Sequence, residues 1–150
     1  MEEKEKIVKE LNKFLTGINM AYDTFKTYEE KVDDTNLKNE FSKVLNTFES
    51  QKEVVTSYID QLEPDKKKSK GIDAKVAEIF QKMKDMFMNN DKDVVHHALK
   101  NMERGIESSE RVVLSLEDMT SNKEIVDSLN KIVNEYKNIL EKFKHIYEKM

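Results

Sequence analysis

Carboxylates and histidines are the residues that could carry chemistry in this chain. With 0 Cys it has no thiol nucleophile, disulfide or thiolate metal site. It has no Gly-rich phosphate loop, and no Ser, His and acid fall close enough to pair a nucleophile with its base. What carboxylates and imidazoles can build between helices is a di-metal centre. That needs one Glu from each of two helices and a Glu-x-x-His from each of two more, all pointing inward. No Glu-x-x-His occurs, and the 3 histidines are His96, His97 and His145. A zinc shared among these and Asp93 is the weaker metal reading. Neighbouring residues such as His96 and His97 leave a helix about 100° apart, too divergent to ligate one ion easily.

The helical seam of Thr35–Leu62 breaks at one position. Leu37, Phe41, Val44, Phe48, Val55, Tyr58 and Leu62 keep the three-then-four spacing of a buried stripe, and Gln51 interrupts it with an amide. Tyr22, Ser109 and Tyr136 are the other seam positions with polar ends. A buried polar layer of Tyr22, Gln51, Ser109 and Tyr136 that fixes helix register is therefore expected, because buried polar groups need partners. The competing use of the same level is a water-rich iron or manganese site from Glu49, Gln51, Glu107 and Glu135, since carboxylate and amide oxygens suit hard cations. No cofactor is expected on the first reading.

These residues must be positioned by helices. Among 150 residues there are only 3 Gly and 1 Pro, and 37% of the chain is charged, rich in the helix formers Lys and Glu. Apolar periodicity predicts helices over about 2–32, 35–62, 72–88, 93–118 and 122–148, in one domain. Asp33-Asp34-Thr35-Asn36 reads as a cap cluster between two long helices, hence an antiparallel hairpin. Pro64 stops the second helix at Leu62. Asp93 is the expected cap of the fourth helix, and Ser121-Asn122-Lys123-Glu124 reads as a capping box. Gly17, mid-helix, suggests a close helix approach. Two hairpins and a long connection predict an all-α, ferritin-like four-helix bundle with a short extra helix in the crossover. A five-helix up-down array is the alternative.

Composition excludes several partners. The net charge is −4, from 26 basic and 30 acidic residues mixed along the chain, so nucleic acid is not an expected partner. No apolar run approaches the ~18 residues of a membrane span, and the charged start Met1-Glu2-Glu3-Lys4-Glu5-Lys6 is unlike a signal peptide. A cytoplasmic location is expected. The short third helix carries Phe80, Met86, Phe87 and Met88 on more than one face, an expected contact for a protein partner or a second copy.

The motifs Gly17-Ile18-Asn19-Met20, Asp23-Thr24-Phe25-Lys26, Leu37-Lys38, Phe48-Glu49-Ser50-Gln51-Lys52-Glu53, Tyr58-Ile59-Asp60-Gln61-Leu62 and His97-Ala98-Leu99-Lys100-Asn101-Met102-Glu103-Arg104-Gly105-Ile106 resemble a known group. It is the bacterial ferritin-like domain-of-unknown-function family related to rubrerythrin and bacterioferritin. The resemblance covers nearly the whole chain through loose helical patterns. It implies a ferritin-like bundle with an ancestral metal centre, and relatives often carry histidine where this chain has Gln51. That departure, with no Glu-x-x-His, argues against retained di-iron chemistry. The leading reading is a non-enzymatic bundle that binds a protein partner or itself. A divergent metal-binding protein or oxidase is its rival, and a sensor holding a small apolar ligand between helices is a third class.

Overall fold

The computed structural model describes residues 2–64, 82, 88–119 and 122–150. Four long helices account for most of them: α1 (Glu3–Lys31), α2 (Thr35–Leu62), α3 (Asp91–Met119) and α4 (Lys123–Glu148). Among the described residues there is no strand. The short helix expected over 72–88 falls almost entirely outside them, as do Phe80, Met86 and Phe87.

Local chemistry sets the helix ends. Asp34 caps α2 by accepting from the Leu37 N–H at 2.8 Å. The α2 terminus falls at Leu62, ahead of Pro64, with Glu63 outside helical geometry and its N–H bonded to the Ile59 carbonyl at 2.8 Å. Two caps differ from the sequence expectation. Asn90, not Asp93, caps α3: its Oδ1 accepts from the Asp93 N–H at 2.9 Å, while the Asp93 carboxylate reaches back to the Asn89 N–H at 3.1 Å. Asp93 thus reaches back past the cap to the residue before it, a variant of the capping-box arrangement. Asn122 caps α4, its Oδ1 accepting from the Glu124 N–H at 3.1 Å, one residue later than the box expected at Ser121.

Each helix packs on two neighbours. The contacting pairs are α1 with α2, α1 with α3, α2 with α4, and α3 with α4, which is a square with α1/α4 and α2/α3 on its diagonals. Tyr28 near the end of α1 accepts a hydrogen bond from Asn101 near the start of α3, so these two helices are antiparallel. Lys142 pairs with Glu40, Gln51 bonds Glu135, and Tyr58 meets Ser128 at 2.6 Å, so α2 and α4 are antiparallel too. The diagonal pair α2 and α3 is then parallel, and the connection between them travels from one end of the bundle to the other. This is the ferritin-like connectivity. Asp91 fastens its far end, its carboxylate accepting from the Asp33 and Asp34 N–H groups at 2.9 and 3.0 Å.

One apolar core runs through all four helices. Phe25 is its hub, with ring centroids 5.3 Å from Tyr28, 5.8 Å from Phe41 and 5.4 Å from Phe48, all edge-to-face. That is the favoured geometry for aromatic quadrupoles. No described helix is long and apolar enough to cross a membrane. Met88, expected on an exposed contact face, is half-buried and packs against the core.

Candidate functional site

The helices bring one of the proposed pairs together. Gln51 is 2% exposed, and its amide donates to Glu135 Oε1 across the α2–α4 contact at 3.4 Å, a long bond. Its carbonyl oxygen is buried with no hydrogen-bond partner among the described residues. Leaving a buried amide acceptor unpaired costs about 1–3 kcal/mol. Glu135 is half-buried and reaches this point from the α4 shoulder.

The other sequence candidates do not join them. Glu49 is exposed, and Glu107 lies on the outer face of α3, 73% exposed and 4.0 Å from Arg111. Both project from faces turned away from the Gln51 amide. The four-residue polar layer is likewise not assembled. Gln51 and Tyr136 are buried, while Tyr22 and Ser109 are half-buried, and no hydrogen bond links the four among the described residues. Tyr136 instead sets its ring edge-on to Phe48 at 5.9 Å. Burial raises its phenol well above the ordinary range, so it stays protonated.

The histidines share one end of the bundle without sharing an ion site. His96 is exposed with its ring 5.8 Å from Tyr147, and His145, 71% exposed, faces Glu148 at 3.8 Å. His97 is half-buried, and burial holds its pKa below the usual value, helped by the charge of His96. Asp93 is committed to the α3 cap. Among the described residues, no three His, Cys, Asp or Glu side chains gather to hold a metal.

A ferritin-like di-metal centre draws donors from all four helices. The buried residues of α3 are Val94, Val95, Ala98, Leu99, Met102, Ile106, Val113 and Leu116, none of which offers oxygen or nitrogen. On α1 the buried carboxylate Glu10 is taken by Lys13 at 3.0 Å. The donor set of the described residues does not fit such a centre.

Sequence reasoning missed a feature between α1 and α3. A groove of about 530 Å³ opens there, with Phe14, Gly17, Met20 and Ala21 on one wall, Met102, Gly105, Ser109 and Val112 on the other, and Tyr136 reaching in from α4. Gly17 does not serve close approach as expected. A Cβ built on Gly17 or on Gly105 would meet nothing within 4 Å, so both glycines widen the groove. The available signal was the pairing of these glycines with Thr16, Ser108 and Ser109 on two helices that pack together.

The family model described as "Domain of unknown function (DUF2383)" matches residues 6–113. Among solved structures, a ferritin-like, diiron-carboxylate protein from Bacillus anthracis is similar with a TM-score of 0.75 and 12% identity, over 98% of this chain and 99% of that one. A two-domain protein from Anabaena variabilis, containing DJ-1/ThiJ/PfpI-like and ferritin-like domains, matches with a TM-score of 0.77 and 19% identity. That match spans 97% of this chain and 40% of the other. At these identities the likeness is one of fold. No curated protein matches the chain.

Proposed function

The chain belongs to the DUF2383 family, and from that premise we propose that this ferritin-like bundle is non-enzymatic and acts by binding, in the cytoplasm, to a protein partner or a second copy of itself. The observation that carries this reading is the α3 interior: the helix that should supply a metal ligand buries hydrocarbon and thioether alone. Beside Gln51, the α2–α4 side offers one amide carbonyl and the half-buried Glu135 carboxylate, too few for paired ions, while Glu40 further along is held by Lys142. The Anabaena neighbour carries a ferritin-like domain beside a second domain, which supports use of this fold as an attached module.

A second reading, a single hard cation held by Gln51 and Glu135, is favoured by the unpaired Gln51 carbonyl and by the diiron-carboxylate description of the Bacillus neighbour. One experiment separates the two. The protein is expressed with iron, manganese and zinc supplied, its metal content is measured by mass spectrometry, and Fe(II) is titrated anaerobically. The binding reading expects trace metal and no ferrous uptake. Near-stoichiometric metal that is lost in Gln51→Leu would overturn it.

A further inference from the structure

The groove between α1 and α3 combines three properties that point to a ligand. It is large: about 530 Å³ falls within the 300–1,000 Å³ typical of sites for small organic molecules. It is kept open by Gly17 and Gly105, at both of which a side chain would meet empty space. Mid-helix glycine costs about 1 kcal/mol relative to Ala, and here no close backbone contact offsets that cost. Its floor is apolar, formed by Phe14, Met20, Ala21, Met102 and Val112, and the lining from Lys13 to Thr24 extends about 16 Å along α1.

The lining also carries polar side chains, three of them cationic. Tyr136 is 3% exposed, lines the groove from below, and has no hydrogen-bond partner for its hydroxyl among the described residues. Lys13, Arg104 and Arg111 stand at the rim. Glu10 holds Lys13 at 3.0 Å, and Glu107 lies 4.0 Å from Arg111. Arg104 has no carboxylate partner among the described residues, although the molecule as a whole is acidic, with a net charge of −4.

We propose that the α1–α3 groove binds a single-chain amphipathic carboxylate, its apolar body on the floor between Gly17 and Gly105 and its oxygens reached by Arg104 and the Tyr136 hydroxyl. The floor excludes a purely polar anion, and the cationic rim disfavours an amphipathic cation. This binding is independent of whether Gln51 and Glu135 take up a metal.

Sodium dodecanoate, kept below its micelle concentration, is the probe, titrated calorimetrically into the intact protein with dodecyltrimethylammonium as the comparison. The expected result is one site for dodecanoate and at least tenfold weaker binding of the cation. Gly105→Leu, which fills the groove, and Arg104→Gln, which removes a surface charge, should each weaken dodecanoate at least tenfold. Tyr136→Phe should weaken it severalfold, with circular dichroism confirming that each variant is folded. Absent binding, equal binding of both amphiphiles, or indifference to all three substitutions would overturn the proposal. So would a dimer that Gly105→Leu dissolves, which would assign the groove to a second copy of the chain.

Discussion

Gln51 is a residue whose best replacement is a hydrocarbon. Its carbonyl oxygen is buried and unpaired, and its amide makes one long bond to Glu135. Gln51→Leu keeps the volume, removes the orphan acceptor, and leaves a half-buried Glu135 that solvent can still reach. Stability should be unchanged or rise by up to about 2 kcal/mol, read as a higher urea midpoint with an unchanged slope. A loss above about 1 kcal/mol would show that the amide is a register-setting contact. The importance of this position was legible in the sequence, because an amide on an otherwise apolar seam is visible there. Its company was not. Helical spacing assigns a face but not a depth, so Tyr22 and Ser109 looked like members of a layer they only flank. Glu49 and Glu107 sat at the right level on the wrong side.

At the scale of the element, the informative groups are at the helix ends. Asp91 begins α3 and accepts two backbone N–H bonds from the α1–α2 turn, at 2.9 and 3.0 Å. Asp91→Ala removes both acceptors and a carboxylate from a helix start, where negative charge is favourable. The cost should be about 1–2 kcal/mol by thermal or urea unfolding, larger than for Asp33→Ala. No change would mean that solvent satisfies those N–H groups equally well. The helices themselves were readable, because apolar residues at three-then-four spacing, the Pro64 stop and the short polar caps are all local signals. Asn90 was harder to read as the α3 cap, because three short oxygen side chains compete at 89–91 and the choice depends on where the first turn docks. The groove was invisible for a related reason. A glycine in one helix reads the same whether its neighbour presses close or stands away.

Over the whole molecule, carboxylates help tie one hairpin to the other and steady the turn within the first. Lys142 of α4 pairs with Glu40 of α2, and with Lys43 it holds the Glu40 carboxyl below the usual carboxylate range. Glu29 is held down likewise, first by the Ser42 hydroxyl and then by Lys26. In the unfolded chain both carboxyls titrate near about 4.3. Their stabilisation is therefore fully present above that pH and is lost as pH falls through the lower folded values. Urea midpoints should be flat near neutrality and decline below about pH 4.5, with Glu40→Gln showing a shallower decline. Stability that rises on acidification through that window would contradict the assignment.

The parallel diagonal of α2 and α3 has a consequence for how many molecules make one bundle. Helix α2 has 28 residues, so residues 63–90 bridge about 42 Å between opposite ends, well within the reach of an extended chain of that length. The same reach allows the α1–α2 hairpin of one molecule to dock on the α3–α4 hairpin of another. Both closures bury the same aromatic hub and form the same Glu40–Lys142 and Asp91 ties. What separates them is the effective concentration of one hairpin about its own partner. Closure within one chain is therefore expected at low concentration, and exchange of halves on refolding at high concentration, read as a dimer by size-exclusion chromatography.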